Sequence, residues 1–156
     1  MKIESGIRVV RTPYEEPYHT QITITASNGL FTGETDLYCG VDELIEIGQA
    51  LARFPTKVPD EYEFIYGSAN PADRFYRFFR FRAKTVDVAG HCALHFEFDL
   101  NQDEPNEGRA AFSLPVEPWA LEALGRLFET LHGDPSGEFY WSPDRGRVVP
   151  LDSTAV

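Results

Sequence analysis

Apolar and polar positions alternate with a two-residue period over most of this chain, and in two places the period lengthens to that of a helix. The longest alternation runs from Phe75 to Leu100. In its first half Phe75, Phe79, Phe81 and Ala83 share one face while Arg80, Arg82 and Lys84 share the other. In its second half Cys92, Leu94, Phe96, Phe98 and Leu100 oppose His91, His95, Glu97 and Asp99. This predicts a long β-hairpin with one face in the core and one in water. Two registers keep both apolar rows together. With Asp87 opposite Gly90, Arg80 meets Glu97 and Arg82 meets His95; with Val88 opposite His91, Arg82 meets Glu97 and Arg80 meets Asp99. The second is favoured, because Gly90 then supplies the positive φ of the turn.

Shorter alternations flank this hairpin. Ile3 to Arg11 reads as a strand with Ile7 and Val9 on one side and Arg8 and Val10 on the other, closed by Thr12-Pro13. Ile22, Ile24 and Ala26 alternate with Gln21, Thr23 and Thr25. Asn28-Gly29 then signals a turn, and a returning strand puts Phe31, Leu37 and Cys39 on one face and Thr32, Glu34, Asp36 and Tyr38 on the other. Glu61 to Tyr66 and Arg109 to Leu114 are further strands, with Tyr62, Phe64 and Tyr66 sharing a face in the first and Ala110, Phe112 and Leu114 inward in the second.

The period changes over Val41–Phe54, where Val41, Leu44, Ile45, Gly48, Leu51 and Ala52 form one helical stripe and Asp42 and Glu43 occupy the first turn, favoured there by the helix dipole. A second helix over Val116–Leu131 has Pro118 at an early position, a stripe of Leu121, Leu124, Phe128 and Leu131, and Gly133 at its end. A shift of 77 positions carries Leu44, Ile47, Gly48, Leu51 and Phe54 onto Leu121, Leu124, Gly125, Phe128 and Leu131. Amphipathic patterning alone can produce five such matches, so they suggest, without requiring, a weak internal β-β-β-α duplication. The chain is expected to be α+β: a mainly antiparallel sheet of about six to eight strands with the two amphipathic helices on one face. Residues 1–133 form the domain, and 134–156 form a C-terminal extension docked in part as an extended edge segment, with 152–156 fraying.

Composition changes the picture in one respect. Of 156 residues 42% are hydrophobic, as in a globular chain, but the formal net charge is -11. Binding to phosphate requires a concentrated basic patch, so no direct nucleic-acid partner is expected. No apolar run is long enough to cross a bilayer and no signal-peptide pattern opens the chain, which predicts a cytoplasmic protein with no membrane partner. Cys39 and Cys92 both fall in apolar strand patterns and read as buried thiols.

Catalytic and cofactor motifs are lacking. His91, Cys92 and His95 resemble metal ligands on paper, but on a strand His91 and His95 lie roughly 13 Å apart and Cys92 points to the opposite face. No metal, cofactor or catalytic residue is assigned, and the chain is read as a non-enzyme. Two acidic groups stand out: Glu34, Asp36, Asp42, Glu43 and Glu46 around one strand-to-helix junction, and Asp99, Asp103, Glu104 and Glu107 around the polar loop Asn101 to Gly108. Together they are the expected partner-binding residues, suited to a basic protein. Tyr14, Tyr18, Tyr62, Tyr66, Tyr140 and Trp141 add amphipathic rings of the kind found in interfaces, although most such residues fill cores.

The segments ITITASNGLFTG, DLYCGVDELIEIGQALARF, FRFRAK with HCALHFEFDL, and AAFSLPVEPWALEALGRLFETL, spanning Thr20 to Leu131, resemble the small bacterial immunity-like proteins related to the wall-associated-protein immunity family of polymorphic toxin systems. The matching features are Phe31-Thr32-Gly33 at a strand, Glu43-Leu44 at the helix start, and a later strand pair before a closing helix. The resemblance implies a non-catalytic cytosolic protein that binds and blocks a toxin domain, a basic partner in keeping with the acidic charge. It brings no catalytic residues. Two other readings compete: a small-molecule-binding module or enzyme with a pocket between sheet and helices, and a structural subunit pairing through its tail or an open sheet edge.

Overall fold

A computed structural model describes residues 4–73 and 76–148. The order is β1 (Gly6–Pro13), β2 (His19–Ser27), β3 (Thr32–Gly40), α1 (Val41–Ala52), β4 (Glu61–Tyr66), β5 (Phe78–Thr85), β6 (Cys92–Asp99), β7 (Arg109–Val116), α2 (Pro118–His132), β8 (Glu138–Ser142) and β9 (Gly146–Val148). The chain is α+β, as its periodicities predict. Its strands divide between two antiparallel sheets, however, where one was expected: β3-β2-β1-β8-β9 and β4-β5-β6-β7.

The inner rows of the two sheets and one face of each helix make a single core. Ile7 and Ile24 from the first sheet meet Phe79, Phe81, Leu94 and Phe96 from the second and Leu124 and Phe128 from α2, around a cavity of only about 10 Å³. Gly33 is buried on β3 because the strand passes over the ring of Phe98; a Cβ there would lie 2.6 Å from Cε2 of that ring. The helices cross with Gly48 against Gly125, the small residues allowing the backbones to touch.

The duplication extends beyond the helices. Both β1-β2-β3-α1-β4 and β5-β6-β7-α2-β8 follow one order, and the shift that carries Leu44 onto Leu121 also carries Thr32 onto Arg109 and Glu61 onto Glu138, the first residues of β3 and β7 and of β4 and β8. The sheets correspond as β3-β2-β1-β8 and β7-β6-β5-β4. Each half therefore sends its last strand into the other half's sheet.

Several expectations are corrected. The β5–β6 register is the one not favoured: Arg80 faces Glu97 and Arg82 faces His95. Asp87 causes this. Its Oδ1 accepts the N–H of Ala89 and of His91, its backbone carbonyl accepts the N–H of Gly90, and the ladder closes one pair earlier, through Val86 N–H to the His91 carbonyl. Gly90 does have positive φ, 88°, but as the last residue of a four-residue turn. Phe31 is not on the inner face of β3; it is 60% exposed as the last residue of another four-residue turn, Asn28 to Phe31. There Asn28 Oδ1 accepts the N–H of both Leu30 and Phe31, so the inward row begins at Gly33. The first helix ends at Ala52, short of Phe54, and Val116 remains in β7, so the second starts at Pro118.

The segment beyond Gly133 was expected at an edge. Its β9 is one edge of the sheet, but β8 lies inside it, between β1 and β9, with Phe139 and Trp141 buried and the Trp141 indole N–H donating to the Ala120 carbonyl at 2.8 Å. Arg11 is likewise an inner residue, 2% exposed, on the row of Ile7 and Val9. Its Nε donates to Thr20 Oγ1, Nη1 to the carbonyls of Leu131 and His132, and Nη2 to both oxygens of Glu16, so that it ties β1 to the end of α2. Ile3, Phe75 and 152–156, for which strand, inner-face and frayed positions were expected, lie outside the described residues.

Candidate functional site

Strand β3 is an edge of its sheet and carries the first acidic group. Its two-residue period turns Leu37 and Cys39 inward and Glu34, Asp36 and Tyr38 outward. The outward carboxylates are held down on the sheet. Thr25 Oγ1 donates to Glu34 at 2.7 Å and Thr23 Oγ1 to Asp36 at 2.6 Å, each from the directly facing residue of β2. Tyr38 completes the row and packs on Tyr14, with ring centroids 4.8 Å apart.

The chain passes from Gly40 directly into α1. Glu43 reaches back to accept the Gly40 N–H at 2.7 Å, closing the helix start, and is therefore committed to structure. Asp42 and Glu46 are exposed, Asp42 having the imidazole of His132 at 3.5 Å. Beneath them, burial and then the charges of Glu46 and Glu43 push the Tyr62 phenol up to about 12. Burial, then Glu43, does the same to the Cys39 thiol, also to about 12, against a smaller opposing effect of Arg11. Tyr66 lies beside Tyr38 and Tyr76; burial pushes its phenol up, opposed by a hydrogen bond with the Tyr38 backbone. Glu34, Asp36, Asp42 and Glu46 thus belong to one edge of the molecule, backed by tyrosines.

The second group is arranged differently. Asp99 pairs with Arg109 at 3.6 Å and its Oδ1 accepts the Asn101 N–H, fixing the root of the loop, while Asp103, Glu104 and Glu107 are exposed beyond it. Since Gly33 of β3 packs on Phe98, the end of β6 and the root of this loop lie next to β3.

The outer face of the β4-β5-β6-β7 sheet balances its own charges. Arg80 pairs with Glu97 and Glu63, Arg82 with Glu61, and His95 bridges Glu97 and Ser113. Burial pushes the Glu97 carboxyl up, but the hydrogen bonds from Arg80 and His95 outweigh it and the net shift is downward. His91 sits in the turn against Asp87 and Cys92 is buried, so the three metal-like residues face different surroundings. Among the described residues no group of three His, Cys, Asp or Glu side chains could hold a metal ion.

Tyr14 and Tyr38 form a pair that sequence alone did not bring together. The position of Tyr38 two residues after Asp36 on an outward row was the available signal, whereas Tyr14 arrives through a loop whose path has none. Of the ring residues expected at interfaces, Tyr18 and Tyr14 are exposed and Trp141 is core. No helix among the described residues is long and apolar enough to cross a membrane.

No family model matches the chain, and no curated protein matches it. Among solved structures, the plant transcriptional regulator PBF-2 is similar with a TM-score of 0.48 and 11% identity, over 85% of this chain and 78% of that one.

Proposed function

We propose that this chain is a non-catalytic binding protein of the immunity type, which blocks a basic bacterial partner such as a toxin domain through the surface around β3 and the start of α1. The observation that supports this most is the row Glu34, Asp36 and Tyr38 along an edge strand, continued by the exposed Asp42 and Glu46 and backed by Tyr14. Carboxylates held in place by threonines lose little freedom on binding, and the rings offer apolar area at low conformational cost. Such a surface attracts a cationic one over long range and holds it at short range. A ligand between sheets and helices has less in its favour, since the cavity at that place measures about 10 Å³.

The test begins with the tagged chain in its native lysate at low salt, followed by identification of any stoichiometric basic protein and its purification. Association with that protein should be fast and slow down as salt rises, and Asp42→Lys with Glu46→Lys should lower both the rate and its salt dependence. A partner whose association is indifferent to salt and to these changes would move the interface elsewhere.

A further inference from the structure

The duplication makes the two halves alike at most places, and one place where they differ is informative. In the first half the edge strand β3 meets the end of β4, and the Tyr66 side chain bonds the backbone of Tyr38. The shift that carries Leu44 onto Leu121 carries Tyr38 onto Pro115 and Tyr66 onto Pro143, and neither proline has a donor to offer. That junction is open. A depression of about 410 Å³ lies against Ser113, Leu114, Pro115 and Pro143. A second, of about 560 Å³, adjoins it through Ser5, Asn28 and Asp144 and runs out to Leu30 and Arg145.

One wall of this groove is the free edge of β7. The N–H of Leu100 bonds the carbonyl of Gly108, which continues the β6–β7 ladder and makes the even-numbered residues of β7 the ones that bond β6. Pro115, which cannot exchange hydrogen bonds with Ala93, fits the same alternation. The backbone N–H and C=O of Ala111 and Ser113 therefore point away from the sheet, toward the groove side of the strand. Edge strands are commonly blocked by charge or proline, as Glu34 and Asp36 block β3; the outward row of β7 has such residues only at its ends, Arg109 and Pro115, and presents the small, neutral Ala111 and Ser113 between them.

We propose that this groove takes an extended peptide segment bearing a lysine or arginine, added as a strand beside β7 and anchored by that cation at Asp144. Charge selects the ligand: Arg145, the groove's cation, is taken by Glu4 at 2.9 Å, whereas Asp144 has no ion pair among the described residues. Backbone pairing at Ala111 and Ser113 supplies affinity without regard to sequence, and the 87% exposed Leu30 offers an apolar contact at the far end. The proposal is independent of the role given to β3 and α1.

The experiment is selection of a random decapeptide library, displayed on phage, against the immobilised full chain, followed by synthesis of the enriched peptides. Enriched peptides should carry Lys or Arg, shift the backbone amides of Ala111 and Ser113 in NMR spectra, and lose roughly tenfold or more in affinity on Asp144→Lys. Ser113→Pro, which removes one outward donor, should weaken them similarly; its fold is checked by circular dichroism, and Asp144→Lys at a surface turn serves if it fails to fold. Enrichment of nothing, or of peptides that leave those amides unmoved or bind Asp144→Lys as well as the parent, overturns the proposal.

Discussion

Gly48 and Gly125 lie face to face where α1 and α2 cross, each filling the space that a side chain on the other would need. A Cβ on Gly48 would lie 2.7 Å from the Gly125 carbonyl oxygen, and one on Gly125 would lie 2.6 Å from the backbone nitrogen of Ala52. Backbone cannot rotate away as a side-chain tip can. Gly125→Ala is therefore expected to destabilise the fold by about 3 kcal/mol, near the upper end for overpacking and despite alanine's better helix propensity. Urea unfolding checks this; a stabilised Gly125→Ala variant would mean that the helices can separate at no cost.

Arg11 offers a second stability test. Its guanidinium is buried, bonded to Thr20, the end of α2 and Glu16. Arg11→Ala leaves the last carbonyls of α2 and the carboxylate of the exposed Glu16 without their partner, a loss of roughly 3 kcal/mol from the carbonyls left unsatisfied and the space left empty. Arg11→Lys should recover only part of it, because an ammonium cannot span the same acceptors. A midpoint shift in Arg11→Ala no larger than that of an exposed substitution such as Arg126→Ala would refute the clamp.

The turn between β5 and β6 should respond to pH. The hydrogen bond and charge of Asp87, 2.6 Å away, raise the pKa of His91 above 6.5, and the His91 hydrogen bond in turn lowers Asp87 below 3.8. The raised histidine contributes fully below its unfolded pKa and loses that contribution as pH rises through its folded value. The depressed carboxylate contributes above its unfolded pKa and loses that contribution as pH falls through its folded value. The turn is thus tightest between the two. In NMR titration His91 should have a midpoint above 6.5 that returns toward it in Asp87→Asn; a parent midpoint at or below 6.5 contradicts the pairing.

Within the acidic surface, neighbouring carboxylates should separate by role. Glu43→Ala removes the acceptor of the Gly40 N–H and is expected to cost about 1 kcal/mol of stability. Asp42→Ala and Glu46→Ala should leave the melting temperature nearly unchanged and act only on partner association. Equal losses of stability for Glu43 and Glu46 would undo the distinction.

The thiols give a simple check on burial. Burial, the first cause in both, raises Cys39 to about 12 and also raises Cys92 above its ordinary 9.0. In the native chain at pH 8 both should resist a thiol reagent and react after unfolding. Fast labelling of Cys39 in the native state would show that the β3–α1 junction opens.

Period was the part of the fold most legible in the sequence. Alternation placed Ile22, Leu37, Phe79, Phe96 and Leu114 inward, the first helical stripe put Gly48 beside Leu51, and the shift of 77 positions matched Gly48 with Gly125. What it could not give was set by single polar atoms or by distant partners. The oxygens of Asp87 and Asn28 decide where two turns close, and with them a register and the exposure of Phe31. Arg11 follows Ile7 and Val9 at the same spacing, but an arginine on that row reads as the end of a strand until acceptors from Thr20, Leu131 and His132 are known to surround it. The division into two sheets was hidden for a related reason, since periodicity marks which face of a strand is buried and not which strand lies beside it. Of the acidic surface, alternation showed which side chains of β3 point outward; the commitment of Glu43 and the approach of Tyr14 depend on contacts made across loops.

The exchange of last strands also governs when the protein can be finished. Ile7 of β1 pairs with Trp141 of β8, so β1, made before every other described strand, waits for a strand made after both helices. Until Glu138–Ser142 have been synthesised, one side of β1 is an open edge and the cover of Trp141 is missing from the core. A nascent chain that stops after α2 has made both helices and all of the β4-β5-β6-β7 sheet but lacks β8 and β9 of the other, leaving apolar surface to chaperones or to other copies of itself, and long-range pairing of this kind folds slowly. The order of synthesis thus makes β8 and β9 the step that commits the described fold to its native form.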